Sequence, residues 1–338
     1  MSMRKLASLV LVAAATAASS AFAAEMPVKA PPAPAVAVTP PWDVVVTAAI
    51  MNDYNFRGIT QSNHKPSAQG GFEFRYNWTP TFQGYAGISG ESINFPNNAA
   101  AEIDFYGGFR PTFDKLALDF GVWYYYYPGG QCFNTAALCN SLGGGPAVAP
   151  GVPSTLFDPL GFPNAAKQIA SFYEVYAKAT YTLNDNVAWG IQEWYSPSVA
   201  NLGAWGWYTT GNLTLTAPTT WFQNGLGAYA SADLGYWALG TSDAFYGVPA
   251  FPNGVPYTSY WNWDIGVGFT WKVLTLDLRY YDTNLTPAQC NVFTSSQSVS
   301  FSLSNVTSQN PGGLGTNWCS AAFVAKLSAS IDFNTNLK

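Results

Sequence analysis

The sequence predicts an all-β protein, a transmembrane antiparallel up-and-down β-barrel of about twelve strands, on three observations. The first is a hairpin at residues 260–283. Its leading arm puts Trp261, Trp263, Ile265, Val267, Phe269 and Trp271 on one face and Asn262, Asp264, Gly266, Gly268, Thr270 and Lys272 on the other. After a turn near Lys272 and Val273, Leu274, Leu276, Leu278 and Tyr280 alternate with Thr275, Asp277, Arg279 and Tyr281. Period two is the signature of a strand, and a wholly apolar face opposite a charged, glycine-rich one suits lipid outside and a lumen inside. The second is composition: 10% charged residues, 16% aromatic residues and 31 glycines, with mean hydropathy near zero. No run of about 18 apolar residues follows the N-terminal leader, so helical spans are not expected. The third is a strict alternation of short turns with long loops, as the two ends of such a barrel require.

Taken in order, residues 1–23 read as a signal peptide. Arg4 and Lys5 precede an apolar run, and Ala21, Phe22 and Ala23 fit a small-x-small cleavage pattern. Residues 24–41 read as a proline-rich periplasmic tether, held extended and denied a core. The barrel is expected over 42–333 and a short C-terminal tail over 334–338. Cleavage leaves the chain more acidic than its net charge of -5, which argues against nucleic acid as a partner. Export through a signal peptide and a lipid-facing barrel together place the protein in the outer membrane of a Gram-negative cell.

Strand one is expected over 44–57, with Val44, Val46, Ala48, Ile50, Tyr54 and Phe56 opposite Thr47, Met51, Asp53, Asn55 and Arg57. Strand two sets Phe72, Phe74, Tyr76 and Trp78 against Glu73, Arg75 and Asn77. Strand three, from Phe82 to about Ser92, is glycine-rich and its register stays open. Strand four places Ile103, Phe105 and Phe109 opposite Glu102, Asp104, Tyr106 and Arg110. Strand five places Leu116, Leu118, Phe120, Val122, Tyr124 and Tyr126 opposite Asp119, Trp123, Tyr125 and Tyr127. A long loop over 128–167 leads to strands at 169–182, 187–196 and 204–216, and then to strand nine, which begins at Leu226. The opening hairpin supplies strands ten and eleven. Strand twelve sets Phe323, Ala325, Leu327, Ala329, Ile331 and Phe333 against Lys326, Ser328, Ser330 and Asp332. Aromatic girdles follow: Trp78, Phe113, Trp189, Trp271 and Phe333 at the periplasmic side, and Tyr54, Tyr124, Tyr126, Trp205, Trp207 and Tyr280 at the outer side.

Several segments in order along the chain resemble the TorF family of outer-membrane porins. They are MNDYNFRGITQS at 51–62, AEIDFYGGF at 101–109, LDFGVWYYYYPG at 118–129, FYEVYAKATY at 172–181 and LTLDLRYYDTN at 274–284. The resemblance implies an outer-membrane barrel and passive transport. Cysteine-containing insertions after Pro128 and after Asn284 depart from it.

The inward faces carry the candidate pore-lining residues. The acids are Asp53, Glu73, Glu102, Asp104, Asp119, Glu174, Asp233, Asp264 and Asp277; the bases are Arg57, Arg75, Arg110, Lys178, Lys272, Arg279 and Lys326. Either they line a wet pore and filter solutes, or they pair across a lumen already narrowed by Trp123, Tyr125 and Tyr229. The corresponding functions are a mildly cation-preferring channel for small hydrophilic solutes, or a structural or adhesive surface protein with a plugged lumen. In both, lipid surrounds the barrel, and the oligomeric state stays open.

No catalytic site is expected. The only histidine, His64, has Ser67 three residues on with Pro66 between, whereas outer-membrane phospholipase places its His and Ser two apart. That distant third reading, a lipase, therefore lacks a shared strand face. No cofactor and no metal are expected, since one histidine and cysteines in an exported chain do not make a His/Cys site. The four cysteines, Cys132, Cys139, Cys290 and Cys319, are disulfide candidates with three connectivities open, local pairing being preferred.

Overall fold

The computed structural model describes residues 40–131 and 166–336. The expected leader, nearly all of the tether, Cys132, Cys139 and most of the 128–167 loop lie outside the described residues. Twelve antiparallel strands close into one barrel. They are β1 (Trp42–Met51), β2 (Ser67–Thr79), β3 (Phe82–Glu91), β4 (Glu102–Phe113), β5 (Leu116–Tyr126) and β6 (Phe172–Asn184). The second half holds β7 (Val187–Ser196), β8 (Gly206–Thr216), β9 (Leu226–Leu239), β10 (Tyr260–Trp271), β11 (Leu274–Thr283) and β12 (Ala322–Asp332). β1 closes the ring by pairing with β12 on one side, Val46 opposite Ile331, and with β2 on the other, Val46 opposite Phe72. Closure leaves no unpaired edge, which is what a sheet in lipid requires.

The period-two pattern fixes the two faces as expected. Phe72, Phe74, Trp78, Phe105, Phe109, Val122, Ile265, Val267 and Leu327 all face outward and are exposed. The girdle residues expected at the two ends stand on that face, Trp78, Phe113, Trp189, Trp271 and Phe333 toward the short turns and Tyr124, Tyr126, Trp205, Trp207 and Tyr280 toward the long loops. Asp114 and Lys272 reverse the chain in tight turns by entering the left-handed region, at φ of 52° and 53°. The twelfth strand ends at Asp332, one residue short of its expected limit, because Phe333 opens a short helical turn (Phe333–Asn336).

Two expectations need correction. β1 stops at Met51, and residues 52–66 fold back over the mouth with a short ribbon, Asn55–Phe56 against Ile59–Thr60. Tyr54 is therefore buried inside and takes no part in the outer girdle, and Phe56 packs on the interior cluster. Asn52 ends the strand: its side-chain amide donates to the Phe323 carbonyl and its side-chain oxygen accepts from the Ala325 amide, so the chain is tied to β12 before it turns inward. Lys272 also leaves the inward set, since it is exposed in its turn with its ammonium 4.7 Å from the Trp271 ring.

Above the outer rim, a short helix α1 (Pro287–Thr294) begins with a capping box between Thr286 and Gln289. A disulfide joins Cys290 to Cys319 across this last loop, in line with the local pairing preferred. Inside the barrel, rings lie flat against the wall over glycines of the neighbouring strand: Tyr106 over Gly87, Tyr176 over Gly121, Tyr208 over Gly235 and Tyr229 over Gly268. Each ring occupies the space that a Cβ on the glycine would need, so the aromatic interior and the glycine content are one feature.

Candidate functional site

The lumen carries its charge in separate networks. Toward the short-turn end, Glu73 accepts from Arg75 Nε and from Arg110, whose Nη1 and Nη2 reach its two oxygens at 2.8 and 3.1 Å. Arg110 also donates from Nε to Asp119 at 3.3 Å, and its guanidinium lies 3.6 Å from the Tyr85 ring centre. Arg75 reaches Asp332 at 3.7 Å, which brings strand twelve into the same network.

Across the lumen, Arg279 forms the hub of a second network. Its Nε donates to Asp277 at 3.0 Å, its Nη1 pairs with Asp264 and lies 3.8 Å from Asp233, and its Nη2 donates to Ser231 at 2.6 Å. Tyr229 donates to the other Asp277 oxygen at 2.6 Å. Lys178 lies opposite Asp119 in register, its ammonium 4.5 Å from the Tyr176 ring and 4.6 Å from the Trp194 ring.

The outer end is closed by residue 57. Arg57 extends from the inserted ribbon to β6 and donates to both Glu174 oxygens at 2.8 Å, a bidentate pair. Its guanidinium centre is 4.2 Å from the Tyr208 ring, 4.3 Å from Trp237 and 4.6 Å from Phe56. Arg57 itself sits in the left-handed region at φ 51°, a costly backbone conformation for a residue with a Cβ, held by these contacts and by Tyr260 OH on its carbonyl. The pair is the least accessible: Arg57 and Glu174 side chains are 5% and 0% exposed, whereas the charged side chains of the other two networks keep between 9% and 26%.

Beneath the rim, Glu102 accepts from Tyr54 OH at 2.6 Å and Tyr127 OH at 2.7 Å, one on each carboxylate oxygen. Asp104 and Glu91 lie beside it. Lys326 reaches this group through Gln69, donating to Gln69 Oε1 at 2.9 Å while Gln69 Nε2 donates to Glu91 at 3.0 Å. At the mouth, Asp53 accepts from Thr60 and Ser62 and sits 2.9 Å from His64 Nδ1, and His64 Nε2 is 3.0 Å from the Asn317 carbonyl oxygen. Ser67 instead donates to the Ser92 carbonyl, so the His64 and Ser67 pair does not assemble.

Of the inward set read from the sequence, Lys272 leaves, and most of the remainder meets in networks of ion pairs, with Asp53 and Arg57 carried by the first loop and the others by strands; Glu102 is held by tyrosine hydroxyls instead. Sequence reasoning missed Glu91, and it left Asp332 out of the candidate set while placing it on the polar face of strand twelve. Glu91 falls on the inward face by counting in twos from Tyr85 through Gly87 and Ser89, a register that the glycines of β3 obscure.

No curated protein matches the chain. Among solved structures it is similar to the NanC porin, at 8% identity and a TM-score of 0.40, covering 85% of this chain and 98% of that one. It is similar also to LpxR from Salmonella typhimurium, at 9% and 0.38 over 85% and 99%, and to OccAB1 of Acinetobacter baumannii, at 9% and 0.32 over 72% and 65%. Likeness this distant says nothing of activity. Residues 35–236 match the family model described as a bacterial protein of unknown function, Gcw_chp.

Proposed function

The chain belongs to the Gcw_chp family of bacterial proteins, and from its own barrel we propose an outer-membrane, porin-like channel for passive diffusion of small hydrophilic solutes, seen with its outer half closed. One observation carries this reading: charged side chains occupy the interior along its length, and those of the two lower networks are all more exposed than the Arg57 and Glu174 pair that closes the outer end. A barrel that serves only as an anchor has no need of buried ions along its axis, and each such ion is costly unless paired. The first loop then acts as the closing element, with Arg57 as its latch. The resemblance to TorF porins supports passive transport; the matched family brings no activity of its own.

A second reading has one observation in its favour. The same latch is bidentate, ringed by aromatics and seated on a strained backbone, which suits a permanent plug beneath adhesive or structural loops. Planar-bilayer recording separates the two. The wild type is expected to give brief, intermittent currents, and the double variant Arg57→Ala, Glu174→Gln, which leaves no lone buried charge, is expected to give sustained ones. Silence from both proteins, with the heat-modifiable fold intact, would establish the plugged surface protein instead.

An open lumen should prefer cations mildly, because its acids outnumber its bases and low-dielectric walls focus that excess on a passing ion. Interspersed bases, and salt screening over about 10 Å at 0.1 M, keep the preference small. Reversal potentials under a salt gradient test the sign, with Asp233→Asn and Asp264→Asn expected to weaken it. Anion selectivity in the wild type would contradict it.

A further inference from the structure

Glu91, Glu102 and Asp104 place one carboxylate oxygen each within 4.8 Å of one another, and all three residues are buried. The sequence reading expected no metal, because it weighed only His and Cys ligands. Acids alone make no site, but a non-acidic group here also points inward. Ser89, 3% exposed, lies opposite Asp104 in register. Its hydroxyl stands close to both Glu91 and Asp104 yet in hydrogen-bonding geometry with neither. Glu91 Oε2 and Asp104 Oδ1 are likewise buried without a hydrogen-bond partner.

The pairing register explains the gap between these groups. Thr47, Gly71, Ser89 and Asp104 follow one another across four adjacent strands at one level of the barrel. Gly71 contributes no side chain, and the hydroxyls flanking it, Thr47 Oγ1 and Ser89 Oγ, both lack partners. Buried polar atoms are rarely left unsatisfied, so a cluster of four calls for a ligand.

We propose that Glu91, Glu102 and Asp104, with Ser89 Oγ, bind a divalent hard cation, Ca²⁺ in preference to Mg²⁺. Three neighbouring carboxylates repel unless a cation or protons neutralise them, and every donor here is oxygen, the ligand type that hard cations take. Carboxylates on flexible Glu and Asp stems, completed by water, suit the larger and less exacting ion. Lys326 bears on Glu91 from beside Gln69, but one ammonium does not balance three carboxylates. The bound ion would also fix Glu102, whose oxygens hold Tyr54 of the first loop and Tyr127 at the start of the third. The proposal rests on the cluster itself and stands whether or not the barrel conducts.

Terbium provides a probe, since it substitutes for Ca²⁺ and Trp123 borders Asp104 as a sensitiser. In the full-length folded protein, stripped with chelator, tryptophan excitation is expected to give saturable terbium emission near one ion per chain, displaced by Ca²⁺ at lower concentration than by Mg²⁺. Asp104→Asn and Glu91→Gln should each weaken binding by more than about tenfold. Asp332→Asn, at the far end of the barrel, should leave it unchanged. Calcium should also raise the wild-type melting temperature, a readout that survives if either ligand variant misfolds. Absence of saturable emission in the wild type would overturn the site. So would undiminished affinity in both ligand variants, or a melting temperature indifferent to calcium.

Discussion

His64 meets an acceptor at each ring nitrogen, Asp53 at Nδ1 and the Asn317 carbonyl at Nε2, and only the doubly protonated ring donates to both. Its pKa is raised above the ordinary 6.5: the hydrogen bond to Asp53 acts first, partial burial opposes it, and the Asn317 carbonyl and the Asp53 charge add to the rise. The sign of the linkage follows. The contribution of this contact to loop order is fully present below the unfolded value and is lost as pH climbs through the raised one. Because the chain has one histidine, its imidazole resonances assign themselves in an NMR titration. A midpoint above 6.5 is expected, falling in Asp53→Asn; a midpoint at or below 6.5 in the wild type would show that the contact does not form in solution. None of this was legible beforehand, since His64 meets Asn317 through a fold-back more than 250 residues apart in sequence.

At the scale of the strand, Val267 and Gly268 are neighbours with opposite surroundings. Val267 faces outward between Ala230 and Leu278, so Val267→Arg sets a charge against lipid and should destabilise by about 2–4 kcal/mol. Gly268 faces inward, where alternation alone expects a tolerated Ser. The Tyr229 ring lies where that side chain would go, and Tyr229 is itself buried and bonded to Asp277. Gly268→Ser should therefore cost about 1–3 kcal/mol through overpacking. Urea titration of the refolded barrel measures both, and a neutral Gly268→Ser would mean that the ring yields. The contrast shows what a sequence displays of a barrel. Lipid imposes apolarity on every second residue, so the outward face of β2, β4, β10 and β12 was readable directly. The lumen imposes pairwise contacts between strands far apart in the chain, so Glu102 could be placed inward while its partners could not. The same periodicity misled where it persisted past β1: Tyr54 and Phe56 keep the alternation, but Asn52 has already turned the chain inward.

The molecule as a whole divides into a closed barrel and a layer of outer loops, joined by separate devices. The bridge between Cys290 and Cys319 lies wholly within one loop and closes 29 residues of sequence separation, a contribution of about 3–4 kcal/mol to ordering that loop by the chain-entropy estimate. Strand closure does not pass through it. Cys290→Ser with Cys319→Ser should speed proteolysis within residues 284–321 while leaving the gel shift between heated and unheated barrel intact. Loss of that shift would mean that the loop helps to hold the ring. The tyrosines laid over Gly87, Gly121, Gly235 and Gly268 carry a different consequence. In this barrel the bore is set by upholstery as well as by the count of strands. Exchanging one ring for a smaller side chain bares the glycine behind it and deepens the wall at that spot, with the frame untouched. A lineage of such barrels can retune its aperture one codon at a time, without passing through a chain that fails to close.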